Sequence, residues 1–595
     1  MFTQQREAVK GEMQQALHDY MQVIASWMDE DTGAIEDRFD SIYSENYTAG
    51  TAGVIFANGY AFSGRPEHRD AALKLIRRAA KVRIKDMNVA PFARMFIYHY
   101  AMMALLMLPE EERNRHKAEF ADDFLHGEPQ DCGTINLNCA ALQLGNELFL
   151  ESLGYRKADA AFMEKLIKLM EEREKDGFLN DAFDHQDQVN FREHDGMPIA
   201  YSIFILFILT AVMAAVGEWN PAYAEMRTRV ETLIEKGQSW MNHATSSDGT
   251  FAMMERSRHQ MFTWGSFLAY NAYAGMADAE LFAKAFREWL QYKKEDGTYS
   301  MTPNFLPHEL RVGYEWYTLV NCYGILGMTG LSVAERIVRR GLHMPQANDR
   351  APLPAHNQYA DLRSGYAFVR AGDDFFAANL RLHHGKYGAA LSGFHYRLGG
   401  VKPPLAESKI NPKRIAATPY FQNYDIGVWE GYLLRDAEGG CAYPDMTATP
   451  EVEWVDRGIA MTVEDDNVAC RKTIRLTGSG IEWSYKLTAK RAFVSCEHII
   501  PLLMTDGKNG TRLERRLANG WLVSYAGRRY EIASAACDNA LRTADAVYSV
   551  QNNLSYERSL LSVSGVSAQL SLVVSSGPLA EGDELAWSTT LTVLT

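Results

Sequence analysis

The sequence predicts a two-part α+β chain. An N-terminal helical toroid of the (α/α)6 type covers residues 1–345, and a C-terminal antiparallel β-sandwich covers residues 346–595. Three observations carry this reading. Uniformly apolar helices alternate with amphipathic ones. A short turn motif recurs four times through the first part. After a stretch rich in proline and polar residues, MPQANDRAPLPAHNQ, the hydrophobic pattern changes to period two. That stretch, about 343–360, reads as the linker.

The amphipathic helices include AALKLIRRAAKV, ADAAFMEKLIKLMEERE and ELFAKAFREWLQYKK, with charges gathered on one face. Between them stand GTAGVIFANGYAF, ARMFIYHYAMMALLML, NCAALQLGNELFL, AYSIFILFILTAVM, FTWGSFLAYNAY and WYTLVNCYGILGM, which are apolar nearly all round. Half-exposed and fully buried helices in alternation are what an outer and an inner ring require. The recurring turns are DTGAIEDRFD from residue 31, DGFLNDAFD from 176, DGTFAMMER from 248 and DGTYSMTPN from 296. Asp-Gly is turn chemistry, so each copy ends one outer helix and launches a loop toward an inner one. All these loops are then expected on one face. In the second part, GIEWSYKLTAKRAFV, GWLVSYAG, YERSLLSVSGVSAQLSLVVSS and ELAWSTTLTVLT read as strands of a sandwich.

One segment, PIAYSIFILFILTAVMAAVG at 198–217, is long enough to cross a bilayer. It stands alone, and its flanks carry no positive bias. A helix apolar all round is also what a large protein buries at its centre, and that reading is adopted. The N-terminal stretch MFTQQREAVKGEMQQALHDY is polar and lacks the apolar run of a signal peptide, so a cytoplasmic location is expected. Apolar residues make up 47% of the 595 and charged residues 23%, an ordinary globular balance. The formal charge of -14 argues against nucleic acid as a partner, although a local cationic pocket can still take an anionic ligand. Seven scattered cysteines without a CxxC pair read as reduced core thiols. A homo-oligomer is compatible with the sequence, which does not specify one.

Polar residues gather where loops enter the inner helices. GTINLNCAALQLGNEL places Asn136 and Asn138 at one helix start, and N-capping uses only one of the pair. DHQDQVNFREHDGMPIAYSIF holds Arg192, Glu193, His194 and Asp195, then Tyr201 in the first turns of the most apolar helix. Neighbouring cations would stabilise a phenolate there. DGTFAMMERSRHQMF sets Arg256, Arg258 and His259 before another inner helix. NFLPHELRVGYEWYTLVNCYG carries His308, Arg311, Tyr314, Glu315, Trp316 and Tyr317, with aromatic rings suited to stacking on sugar faces. In the second part, NLRLHHGKYGAALSGFHYRLGG clusters His383, His384, Lys386, His395 and Arg397. Adjacent histidines on a strand point to opposite faces, so that pair is a poor metal site. No HExxH, Walker loop, GxGxxG or GxSxG motif is present.

This arrangement resembles the polysaccharide lyases built from an α/α toroid and a β-sandwich, in particular the heparinase II/III-like and alginate lyases. In that superfamily an Asn or His opens one inner helix, and a Glu-Gln-Ser-Pro-x-Tyr-like segment after a DG turn opens another. NLNCAAL resembles the first and EHDGMPIAYSIF the second. The resemblance implies that Asn138 neutralises a substrate carboxylate and that Tyr201 is the catalytic tyrosine. Two departures stand out: His194 replaces the glutamine, and extra residues precede the tyrosine. The family's histidine–aspartate segment of the sandwich is not recognisable here, although LHHGKYG, with His384, lies in that region.

The implied reaction is β-elimination from a uronic acid in an acidic oligo- or polysaccharide. It removes the proton beside the carboxylate and protonates the departing glycosidic oxygen. The developing enolate-like charge needs fixed donors or cations next to it. Tyr201 serves as base, acid or both, with His194 or His259 as the other partner. Arg192, Arg256 and Arg258 hold the carboxylate, for which a guanidinium fork is well shaped. Asn136, Tyr314, Trp316, Tyr317 and His384 complete the expected binding set. No cofactor is required, and a structural metal is left open. The alternative is a glycoside hydrolase on the same scaffold, using a carboxyl pair from Glu45, Glu193, Asp195, Glu255 and Glu315. A non-catalytic carbohydrate-binding protein is the third reading.

Overall fold

The computed structural model describes residues 2–39, 48–81, 93–125, 136–181, 199–252, 261–276, 279–310, 320–348, 352–361, 364–380, 393–407, 430–442, 450–535, 538–542, 561–562, 564–575 and 577–594. The N-terminal part is helical and the C-terminal part is rich in strands. In chain order the helices are α1 (Phe2–Trp27), α2 (Thr48–Ser63), α3 (Pro66–Lys81), α4 (Ala93–Met107), α5 (Glu110–His116), α6 (Ala121–Leu125) and α7 (Leu137–Ser152). They continue with α8 (Ala160–Arg173), α9 (Ile199–Val216), α10 (Ala224–Ala244), α11 (Met261–Ala274), α12 (Ala279–Leu290) and α13 (Val320–Arg339).

The apolar helices pack in sequence: α2 on α4, α4 on α7, α7 on α9, α9 on α11, α11 on α13, and α13 back on α2. The amphipathic helices lie against them, α3 on α2 and α4, α8 on α7, α10 on α9, α12 on α11 and α1 on α13. Composition explains the division. Every residue of α11 is buried, and in α9 the run from Ser202 to Ala215 is buried throughout. Each fully buried Ile, Leu or Phe there is worth roughly 1.5–3 kcal/mol over exposure. The apolar surface that made α9 resemble a membrane span is covered by its neighbours. Among the described residues no helix is long and apolar enough to cross a membrane.

Several of these helices run parallel. Gly50 of α2 faces Ile97 to Ala101 of α4, and Gly53 faces Ala104, so numbers rise together. The Thr329 hydroxyl donates to the Thr51 carbonyl at 3.1 Å, and further on Asn58 donates to Glu335 at 2.7 Å. On α11 and α13, Gly265 lies against Gly327 and Gly330 so closely that an added Cβ would sit 2.0 Å from the Gly327 carbonyl oxygen. Only glycine permits that approach. At the far end, the buried Arg336 donates to the carbonyls of Ala214 (3.2 Å) and Met107 (3.1 Å). One cation thus satisfies carbonyls in the last turns of α9 and α4, where a helix carries partial negative charge. The N-termini of α4, α9 and α13 therefore share the opposite end.

The strand-rich part contains an eight-stranded sheet in the order Arg512–Leu517, Gly520–Tyr525, Arg528–Ser534, Glu584–Leu594, Gly480–Ala489, Val468–Leu476, Gly458–Glu464 and Glu451–Val455. A second sheet runs Asp538–Arg542, Gly565–Ser575, Ser495–Thr505, Gly431–Arg435 and Cys441–Ala442, with Leu561–Ser562 paired beside Gly565–Ser575. A third, of His356–Asp361, Tyr366–Ala371, Asp374–Asn379 and Gly393–Arg397, joins the two parts. Its alternation serves two cores. Tyr366, Phe368 and Phe375 pack into the helical core, while Ala367, Val369 and Phe376 pack into the core of the strands. Cys139, Cys322, Cys470 and Cys496 are buried.

His99 of α4 is fully buried, with Nδ1 2.9 Å from the Asn146 Oδ1. Burial pushes its pKa down to about 4. Unfolded, the imidazole binds its proton near pH 6.5, so between the two values the unfolded chain holds more protons and stability rises with pH. The expected result is that this one residue removes about 2 kcal/mol of stability between pH 7 and pH 5. Urea unfolding at the two pH values checks it, with His99→Gln flattening that share of the slope. His68, His243, His395 and His498, also pushed down by burial, add to it.

Candidate functional site

The four recurring turns share one geometry. Each closes a miniature antiparallel hairpin, with Met28 opposite Ile35, Lys175 opposite Phe178, Thr245 opposite Phe251 and Lys293 opposite Tyr299. Each carries a glycine at positive φ: Gly33 at 70°, Gly177 at 90°, Gly249 at 84° and Gly297 at 83°. At Gly177 the requirement is also steric, since a Cβ would fall 2.2 Å from the Lys236 carbonyl oxygen. They follow α1, α8, α10 and α12, four of the amphipathic helices.

The first two turns anchor inner helices through a carboxylate four residues past the glycine. Asp181 accepts from the Asn138 backbone N–H at 2.9 Å and from its Nδ2 at 3.0 Å. Asp37 accepts from the Asn321 backbone N–H at 2.8 Å, while Asn321 Nδ2 donates to the Ile35 carbonyl at 3.1 Å. Both asparagines are the second residue of their helix, so each aspartate meets a helix N-terminus with its free N–H groups and positive end. Because a carboxylate only accepts, the Asn138 amide must present Nδ2 to Asp181. One Nδ2 hydrogen is then committed and a second remains. The carbonyl oxygens of Asn138 and Asn321 are buried without a hydrogen-bond partner among the described residues.

Asn136 is the N-cap of α7, its side-chain oxygen accepting from Cys139 N at 3.2 Å. Capping thus accounts for one of the two asparagines, and the aspartate clamp engages the other. Tyr201 is the third residue of α9 and is half-buried, next to Ser202, whose hydroxyl accepts from Leu179 N of the second turn at 3.1 Å. Since α7 packs on α9, Asn138 and Tyr201 stand in the first turns of two neighbouring helices. Arg192, His194, Arg256, Arg258, His259, Tyr314, Trp316, Tyr317 and His384 lie outside the described residues, as do Glu45, Glu193, Asp195, Glu255 and Glu315.

The last two turns use a threonine instead. Thr250 Oγ1 donates to Asp248 Oδ1 at 2.6 Å and lies 3.0 Å from His395 Nε2. Thr298 Oγ1 repeats this with Asp296 at 2.6 Å and His308 Nε2 at 2.8 Å. His308, read from the sequence as a junction residue, is buried and takes this anchoring place. Among the described residues no group of three or more His, Cys, Asp or Glu is placed to hold a metal ion.

Sequence reasoning missed Asp37, Asp181 and Asn321. The available signal was the glycine-plus-four aspartate shared by the first two turns and absent from the other two.

No protein-family model matches the chain, and no curated protein matches it in sequence. Among solved structures, it is similar to a Streptomyces coelicolor A3 chondroitin AC lyase in complex with chondroitin sulphate, at 11% identity and a TM-score of 0.47, over 98% of this chain and 79% of that one. It is also similar to a heparan sulfate lyase from Pedobacter heparinus, at 10% identity and a TM-score of 0.36, over 86% of this chain and 78% of that one. A third is an unsaturated glucuronyl hydrolase from Bacillus sp. GL1, at 13% identity and a TM-score of 0.35, over 57% of this chain and 98% of that one. All three scores fall below 0.5.

Proposed function

We propose that the chain is a polysaccharide lyase that cleaves uronic-acid-containing saccharides by β-elimination, on an α/α toroid followed by a β-sandwich. The observation that carries the reading is the placement of Asn138 and Tyr201 in the first turns of neighbouring inner helices, beside the hairpin turns. The segments carrying Arg192 and His194, then Arg256, Arg258 and His259, run directly into α9 and α11. In this reading the remaining Nδ2 hydrogen of Asn138 meets the substrate carboxylate, with Asp181 fixing the amide's orientation. The arginines neutralise the same carboxylate and acidify the neighbouring C–H.

Tyr201 removes that proton as the glycosidic C–O bond breaks, and a proton from Tyr201, His194 or His259 goes to the leaving oxygen. A carbon–carbon double bond forms and no water is added. Asn136, Tyr314, Trp316, Tyr317 and His384 bind the flanking sugars. The steps need no cofactor. Hydrolysis needs two available carboxyl groups instead, which in that alternative come from Glu45, Glu193, Asp195, Glu255 and Glu315, all outside the described residues.

The test is a screen of uronate-containing oligosaccharides read by ultraviolet absorbance and by mass. Lyase products absorb through a conjugated double bond and carry no added water. Products heavier by one water, without a new band, would move the assignment to a hydrolase. Replacing Arg256 or Arg258 with Ala is expected to weaken turnover of acidic sugars by roughly 1.5–3 kcal/mol, the range for a charged hydrogen bond. Thermal stability should barely move, whereas a large stability loss with unchanged kinetics would make the arginines structural.

A further inference from the structure

We propose that Arg397, from the strand-rich part, is a positioning residue for the candidate site: it fixes the third hairpin turn, which precedes α11, the neighbour of the helix that carries Tyr201. The inference rests on the functional reading above in taking the starts of the inner helices, with Asn138 and Tyr201, as the substrate site, and it goes further by naming what holds the turn.

Three of the four turns are anchored from within the helical part, by Asp37 on α13, Asp181 on α7, and Thr298 with His308. The third is different. Arg397 Nε donates to Asp248 Oδ2 at 2.6 Å, and its Nη1 donates to Glu407 Oε1 at 2.8 Å and to the Tyr396 carbonyl at 2.8 Å. The guanidinium side chain is 7% exposed, so this bridge is shielded from water and salt. A planar fork can meet two carboxylates at once, which an ammonium on a flexible stem does poorly.

From the same strand, His395 meets the Thr250 hydroxyl, and its own backbone is held at φ 50°, a conformation a non-glycine residue keeps only under constraint. On the other side, Asp248 Oδ1 accepts from Thr250 N at 3.0 Å and from Ser246 Oγ at 2.5 Å. Burial works against the Asp248 charge, yet Arg397 and the hydroxyl donors hold its carboxyl below the usual range. Asp248 therefore stays ionised and the bridge stays closed. Arg397 and Asp248 are joined across 149 residues of sequence, so the strand-rich part directly sets one of the turns at the candidate site.

The test is Arg397→Lys in the full chain, which keeps the charge but cannot span both carboxylates. Hydrogen exchange at the amides of Thr250 and Ala252, which bond Asp248 and the Ala244 carbonyl, is expected to rise about tenfold, with strand Gly458–Glu464 unchanged. KM for an acidic oligosaccharide should rise about tenfold while kcat stays within about twofold, the signature of lost binding rather than lost chemistry. Thr250→Val, which deletes one hydroxyl at nearly constant volume, should move both readouts in the same direction and keeps the test alive if the lysine variant folds poorly. Unchanged exchange at the turn in both variants overturns the positioning role. Faster exchange with an unaltered KM overturns the link to the site. If the wild-type chain turns over no uronate, the lyase reading falls, and the exchange measurement still decides whether Arg397 holds the turn.

Discussion

Tyr201→Phe is expected to keep the wild-type melting temperature and near-normal substrate binding, and to lose between about 10²- and 10⁴-fold in turnover, the range for a general acid–base group. The ring is half-buried at the start of α9, and phenylalanine preserves its packing while deleting only the hydroxyl. The hydroxyl matters if it carries the proton, because elimination cannot proceed without a base at the carbon and an acid at the leaving oxygen. Tyrosine ordinarily titrates near 10, so a working base needs cations close by, and Arg192 and His194 precede it in the segment entering the helix. A tyrosine that merely packs predicts the reverse: a modest loss of stability and nearly intact turnover. Melting temperature and turnover measured on one preparation separate the two. Full activity in a stable Tyr201→Phe protein would remove the mechanism proposed here.

The helical part was legible because burial leaves a compositional mark. α9 and α11 are apolar on every face, which only a central position allows in a chain folded around its own core. The strands that join the two parts were not legible, and for a related reason. Tyr366–Ala371 is buried along nearly its whole length because its two faces feed two different cores, so YAFVRA shows no polar alternation. Period two was visible farther on, in segments such as Gly480–Ala489 and Glu584–Leu594, where buried and half-exposed residues alternate.

The candidate site was legible in part for a different reason. Asn138 and Tyr201 could be found because each sits at a helix start, where polar residues stand out against an apolar run. Their partners could not. Asp181 is 43 residues from Asn138, and Asp37 is 284 residues from Asn321, and no periodic pattern links positions so far apart. The same holds for Arg397 and Asp248. The histidine-rich stretch around His395 and Arg397 looked like chemistry in the sequence, and the described part of it proves to be an anchor for a turn.

Lys472→Met is expected to cost about 3–5 kcal/mol of stability, because it strands a buried charge. Lys472 pairs with Glu430 between the two large sheets, and neither is exposed. The other Glu430 oxygen accepts from the Tyr485 hydroxyl at 2.5 Å and lies 2.9 Å from His498 Nε2. His498 Nδ1 is 2.9 Å from the Thr589 hydroxyl. The carboxylate can only accept, so Nε2 carries the hydrogen and Nδ1 accepts from Thr589. Burial works against the Glu430 charge, but Lys472 and His498 hold its carboxyl below the usual range. Methionine fills the lysine's volume, so packing is nearly conserved and the loss isolates the uncompensated carboxylate. Adding Glu430→Gln to the variant removes the stranded charge while keeping an oxygen for Tyr485 and His498, and it should restore roughly half of the loss. Urea unfolding of the single and double variants reads both numbers. A double variant no more stable than the single would mean that the cost lies in packing, and that this buried cluster joins the sheets by shape and not by charge.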